Sequence, residues 1–285
     1  MIHTGICHGT LGELIQGPVP RNGTIHIGVV SLPLRRYSRV RFVHGLQDNA
    51  ASGLADKARC RRAIELYLAK HSLELPEGCW TCDSELPSGK GMASSTADIV
   101  ATIRCLDSIF RQQTSLESLT AILRLIERSD SVFLDRYALY LSGRQEVVHA
   151  FDHEPRFEAC YVDEGDTVDT ETMGLALLHH YQARLQPYLR NLDQALSAFA
   201  ASDAQGIARC ATTSAALSQE VNPKHCFEAL VHEQQGFRAD GIVVAHTGTM
   251  AGYLFTRKLH PTEMGELSSF FDGLGHSCAF AQTGF

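Results

Sequence analysis

The sequence predicts an α+β fold in two lobes, on three observations. Its 285 residues exceed what one hydrophobic core usually organises. Strand-like runs are interleaved with helices in the first half, whereas the second half is mainly helical in its apolar periodicity. Between the halves lies Asp152–Pro155, a polar stretch with a proline, so the lobes are expected at residues 1–152 and 153–285.

The elements follow in order. Thr24–Val30 and Tyr37–Val43 read as strands, the second alternating Val40 and Phe42 against Arg39 and Arg41. Pro33 between them suggests a turn or an edge. Gly53 to Lys70 reads as a helix with Cys60, Ile64, Tyr67 and Leu68 on one face. Trp80 to Leu86 reads as a strand, followed by a helix with the stripe Ile99, Ile103, Leu106 and Phe110. A further helix spans Ser115 to Glu127, and short strands are expected at Tyr137–Leu141, Glu146–Ala150 and Phe157–Val162. Helices then cover Glu171–Ala201, kinked or broken at Pro187, and also Ala204–Leu217 and Lys224–Phe237. Gly241–Ala245 is a buried strand, Thr247 to Gly252 a glycine turn, Thr262–Leu274 a helix and Ser277–Ala281 a closing strand.

Composition narrows the function class. A net charge of −7 without a basic run argues against nucleic-acid and anionic-membrane partners. No window is apolar enough to span a bilayer, and Met1-Ile2-His3 leads into structured-looking sequence without a leader. Nine cysteines without dense regular spacing fit reduced thiols, so a cytoplasmic protein is expected. Cys79 and Cys82 form a C-x-x-C, but on a strand they point to opposite faces, which disfavours shared metal ligation. His149 with His153, and His179 with His180, lack the geometry of paired ligands. No G-x-S-x-G elbow is present.

The most informative segment is Pro87-Ser88-Gly89-Lys90-Gly91-Met92-Ala93-Ser94-Ser95-Thr96. Gly89 and Gly91 let the backbone approach a ligand closely, and the helix that follows points unpaired N–H groups and its positive dipole end at the loop. Such a site suits a polyphosphate. The hydroxyls can cap the helix, hold phosphate oxygens or complete the shell of a Mg²⁺ ion. The loop is not a Walker A motif, since Gly91 follows Gly89-Lys90 where Ser or Thr is needed, and it lacks the spaced glycines of a dinucleotide fingerprint.

Phosphoryl transfer also needs a group that orients or deprotonates the acceptor. Glu127 and Asp130 are three positions apart at a helix end and can share a face; a solvated helix terminus is the alternative. Glu13, between apolar neighbours in the run Cys7–Gly17, is either a ligand for an acceptor's ammonium or hydroxyl group or a satisfied glutamate at the core edge.

The pattern P-x-G-x-G-[LM]-[AG]-S-S-[AT] resembles the phosphate loop of the GHMP small-molecule kinases. Further pieces resemble one branch, the bacterial L-threonine kinases of the cobamide pathway. They are Gly12-Glu13-Leu14-Ile15-Gln16-Gly17, Asp130-Ser131, Asp163-Glu164-Gly165, Val168-Asp169-Thr170, Ser214-Ala215, Gln219, Pro223-Lys224 and Ala245-His246-Thr247-Gly248-Thr249. The resemblance spans nearly the whole chain. It implies an N-terminal lobe like ribosomal S5 domain 2 and a ferredoxin-like C-terminal lobe. It also implies ATP and Mg²⁺, with transfer to the side-chain hydroxyl of L-threonine.

By the same resemblance, Pro87 to Thr96 bind nucleotide. Gly89, Gly91, Ala93 and Ser94 cradle phosphates through backbone N–H groups, and Lys90 adds charge. Ser95 and Glu127 hold the metal, Asp130 activates the acceptor, and Glu13, Thr247, Gly248 and Thr249 line the acceptor side. Two departures fall near that side: His8-Gly9-Thr10-Leu11 replaces a proline and cysteine run, and Arg128 and His225 stand where the branch tends to have proline. A kinase for another hydroxylated amino acid or small alcohol, or a nucleotide-binding sensor without transfer, are the alternatives.

Overall fold

Asn22 and Gly23 both take positive φ, 50° and 75°, and fold the first 44 residues into one long antiparallel hairpin. The Asn-Gly pair suits a tight turn whose twist matches that of the flanking strands. The computed structural model describes residues 1–45, 53–165 and 173–285. Its elements run β1 (Ile2–Arg21), β2 (Thr24–His44), α1 (Ala58–His71), β3 (Gly78–Ser84), α2 (Ser94–Phe110), α3 (Leu116–Arg124), β4 (Ala138–Leu141), β5 (Glu146–Ala150) and β6 (Phe157–Asp163). Then come α4 (Met173–Ala183), α5 (Leu185–Ala200), α6 (Ala204–Ser218), α7 (Phe227–Glu233), β7 (Gly241–Val244), β8 (Met250–Phe255), α8 (Pro261–Gly273) and β9 (Ala279–Thr283).

The described strands join one sheet in the order β1-β7-β8-β6-β9-β2-β4-β5, with β3 on β2 and β1 also paired to β2. The two expected strands around Pro33 are one strand: β2 bends through Pro33, where pairing with β1 shifts register. Two strands were not anticipated. β1 is glycine-rich and buried almost continuously from Gly9 to Val19, so it lacks alternation over that stretch; β8 begins inside the expected Thr247–Gly252 turn. The long helix expected across Pro187 is two helices, but the break falls at Arg184. Pro187 sits in the first turn of α5, where its missing N–H removes no helical hydrogen bond. The start of that helix at Glu171, and Val168-Asp169-Thr170, lie outside the described residues.

α2 packs against β1 and β2 and buries all of Thr96 to Ile103, so it is anchored as a core helix rather than a surface one. The one charge in that run, Asp98, is neutralised in place: Ser38 Oγ donates to it at 2.5 Å and Lys57 Nζ at 2.6 Å. A second apolar cluster joins β7 and β8 to α7 and α8 through Phe227, Leu230, Tyr253 and Phe271. No helix among the described residues is long and apolar enough to cross a membrane.

Candidate functional site

β3 delivers the chain into the loop 87–93, and α2 begins at Ser94. Ala93, the N-cap residue, has φ 55°, and no side chain caps the helix. The hydroxyls of Ser95 and Thr96 are turned elsewhere, so the first-turn amides stay available to a ligand. Ser88, Gly89 and Gly91 to Thr96 line a cavity of about 650 Å³, together with Glu13, Gln16, Arg59, Glu127 to Asp130 and Thr247. Ile25, Ile27, Val29 and Leu178 make an apolar part of its wall.

The loop is held from two sides. Thr10 N–H donates to Met92 O at 3.1 Å, and Thr249 N–H donates to Lys90 O at 3.2 Å. Gly91, at φ 82°, lies against Gly248; a Cβ on Gly248 would meet Lys90 O at 2.4 Å and Gly91 Cα at 2.5 Å. Only glycine allows that approach. Asn222 Nδ2 fixes the opposing turn by donating to His246 O at 3.1 Å and Gly248 O at 3.0 Å. Lys90 Nζ reaches Gly165 O at 2.7 Å and Asp163 Oδ2 at 3.2 Å, while Thr249 Oγ1 donates to Asp163 Oδ1 at 2.6 Å. Partial burial of Asp163 opposes its charge, but hydrogen bonds from Thr249, Gly165 N–H and Lys90 prevail and hold its carboxyl below the usual range.

Glu127 closes one side of the cavity. It accepts from Ser95 Oγ at 2.7 Å and from Thr96 Oγ1 at 2.7 Å, and Arg59 Nη1 lies 2.8 Å from its Oε2. Arg59 Nη1 also donates to Ser95 Oγ at 3.0 Å. Magnesium takes oxygen donors and usually keeps waters and phosphate oxygens in its shell. Ser95 and Glu127 supply a hydroxyl and a carboxylate, and a positive group already sits against both, so this donor set fits the metal. Among the described residues no group of three or more His, Cys, Asp or Glu side chains forms a metal cluster.

Asp130 lies on the cavity wall beyond Glu127. Burial, then the nearby charge of Glu13, push its carboxyl up to about 7; Arg128 works the other way. Glu13 is itself fixed: its Oε2 accepts from His246 N–H and faces His246 Nδ1, both at 3.0 Å. His246 Nε2 is 2.8 Å from Ser214 Oγ, which accepts from Gln16 N–H at 3.0 Å. Ser214 is fully enclosed, which excludes it as an exposed nucleophile and makes it the far anchor of Glu13.

The expected site residues thus divide. Ser88, Gly89, Gly91 to Thr96, Glu13, Glu127, Asp130 and Thr247 share the cavity. Pro87 is exposed outside it, Lys90 turns to Asp163, Gly248 supports the loop, and Thr249 is buried on Asp163. Sequence reasoning did not single out Arg59, Gln16 or the tie from Ser214 through His246. Arg59 belongs to a helix that was expected, but its partners lie 36 and 68 positions away.

Residues 58–143 match the family model described as GHMP kinases N terminal domain. Over 262 residues the chain is 26% identical to an L-threonine kinase of Citrobacter freundii, covering 90% of this chain and 88% of that one. Over 267 residues it is 27% identical to an L-threonine kinase of Salmonella typhimurium, covering 89% and 83%. Among solved structures, homoserine kinase from Cytophaga hutchinsonii superposes with a TM-score of 0.73 at 13% identity, over 99% of this chain and 94% of that one. Lactococcus lactis galactokinase gives 0.67 at 12% identity, over 100% and 93%. L. major mevalonate kinase gives 0.67 at 14%, over 99% and 95%. At these identities the structural likenesses establish the fold. Residues 58–143 are thus similar to the N-terminal domain of the GHMP kinases, and the chain shares the mixed α/β fold of these solved kinases.

Proposed function

We propose that this chain is an ATP-dependent kinase transferring the γ-phosphoryl group to a small alcohol, with the side-chain hydroxyl of L-threonine as acceptor. The products are ADP and O-phospho-L-threonine. One observation carries the reading: the uncapped N-terminus of α2 and the acidic group Asp130 face a single cavity. The threonine assignment draws on similarity to the two L-threonine kinases.

The loop amides and the first turn of α2 bind the phosphate oxygens, where aligned N–H groups favour negative charge. Ser95 and Glu127 hold Mg²⁺, which when bound neutralises charge on the β- and γ-phosphates. Asp130, with its carboxyl poised near neutrality, orients the acceptor hydroxyl and takes its proton as the oxygen attacks phosphorus. Glu13, held by His246, keeps that carboxyl's proton affinity high from the cavity wall. Lys90, Gly248 and Thr249 position the loop from the other side.

The test is acceptor-dependent ADP release over threonine, serine, homoserine and alcohols without an amino-acid group, with the product identified by mass spectrometry. Threonine-dependent ADP and a phosphothreonine product support the proposal. ATP binding without acceptor-dependent ADP, over the whole panel, identifies a sensor instead.

A further inference from the structure

Two arginines line the cavity, and they are in different situations. Arg59 is committed to Ser95 and Glu127. Arg128 stands between Glu127 and the pair Ser129-Asp130, on the same wall as the proposed base. Its charge is felt at Asp130 and at Tyr181, yet among the described residues it donates no hydrogen bond and forms no ion pair within 4.0 Å. A guanidinium presents five N–H donors in a planar fork matched to an oxyanion. A half-buried fork with none of them used by the protein, beside the group that takes the acceptor's proton, is a binding element awaiting a partner.

From this we infer that Arg128 is the specificity residue of the acceptor subsite, and that the acceptor carries a carboxylate which the guanidinium grips while its hydroxyl faces Asp130. The inference rests on the proposed kinase reading and adds to it the residue that grips the acceptor's carboxylate. The cavity's own charge selects a carboxylate over a phosphate. Arg128 meets Glu13 and Asp130 on the acceptor side of the cavity, away from the α2 amides proposed for the triphosphate, and one guanidinium beside two carboxylates suits a monoanion better than a second phosphate. Arg128 also offsets the charge of Asp130, so an uncharged residue there disfavours an anionic acceptor twice, by losing a donor pair and by unmasking repulsion.

The test compares L-threonine with L-threoninol, which keeps the amine and the reacting hydroxyl but replaces the carboxylate by an alcohol. Affinity for each, in the presence of Mg²⁺ and ADP, is measured by calorimetry for the parent, R128Q and R128K; Mg·ATP binding is titrated for each protein as a check of folding. The parent is expected to prefer threonine by about tenfold or more, equivalent to about 1.4 kcal/mol. R128Q is expected to lose that preference while binding Mg·ATP like the parent, and R128K to keep part of it. The inference is overturned by equal affinities in the parent, by a preference that survives in R128Q, or by stronger binding of glycerol 3-phosphate than of threonine. Failure of the parent to bind Mg·ATP sinks the kinase reading instead, so the two failures are separable.

Discussion

Ser95 Oγ donates to Glu127 Oε2 at 2.7 Å, tying the first turn of α2 to the chain just beyond α3. The bond turns the serine away from helix capping and toward the carboxylate. It leaves the amides at the helix start for a ligand and gathers hydroxyl and carboxylate oxygens at one point. Arg59 already supplies a positive charge there, 2.8 Å from Glu127.

If Ser95 and Glu127 are the metal's protein ligands, S95A raises the Mg²⁺ concentration needed for half-maximal ATP turnover. The expected increase is about tenfold or more, matching the roughly 1.5 kcal/mol that a contact to a charged group contributes. E127Q moves the midpoint in the same direction. Titration of Mg²⁺ at saturating ATP is the measurement, and an unshifted midpoint in both variants removes the assignment.

For Asp130, D130N lowers kcat by about 10²–10⁴-fold, the range for loss of a positioned proton acceptor, with ATP affinity little changed. The base works deprotonated and its carboxyl is raised to about 7. The parent's kcat/KM for acceptor therefore falls by about tenfold per pH unit below that point. Stability moves the opposite way. A carboxyl raised above its unfolded value of about 3.9 binds more protons in the folded state, so its contribution to stability falls as pH rises from about 4 to 7. Thermal melts at pH 5 and 8 should show a smaller loss with pH in D130N than in the parent.

The contact between Gly91 and Gly248 gives a test outside the ligand's reach. G248A drives a methyl group to 2.4 Å from Lys90 O, so the loop must move. ATP affinity is expected to fall by about tenfold, through a displacement of the cradle of the kind that costs catalysis and binding at ångström scale. Gly265, inside α8 with open space where a Cβ would stand, is the control: G265A should leave ATP affinity alone and stabilise the fold by about 1 kcal/mol. Equal ATP affinity in G248A and G265A contradicts the loop-support role.

Lys90 and Asp163 give a weaker but signed prediction. The two side chains are 13% and 33% exposed and Lys90 also donates to Gly165 O, so K90A should cost about 1–2 kcal/mol at pH 7. Asp163 is held below its usual range, so its contribution is present above about pH 4 and is lost as pH falls through the folded value. The melting difference between K90A and the parent should therefore shrink below pH 4.

What the amino-acid order disclosed follows the range of the interactions. The phosphate loop was legible because glycines, hydroxyls and the helix start lie within ten residues of one another. The shared helix face expected for Glu127 and Asp130 is not there, since α3 ends at Arg124 and both lie in irregular chain beyond it. They reach one cavity in different surroundings, with Ser95 and Thr96 on the first and the charge of Glu13 near the second. The tie from Glu13 to His246 crosses 233 positions, and that from Gln16 to Ser214 crosses 198; neither leaves a local pattern. β1 was obscured by glycines and two-sided burial, although Asn22-Gly23 marked its hairpin. Arg128 stood out in sequence only as a departure; its unused donors are a property of the folded cavity.

The central claim is that a nucleotide's phosphates sit against the uncapped amides at the start of α2. Calorimetric titration of ATP into the parent protein, with and without Mg²⁺, tests it most directly. One saturable site whose affinity rises with Mg²⁺ and drops in G248A and S95A is the predicted result; no heat of binding with Mg²⁺ present contradicts it.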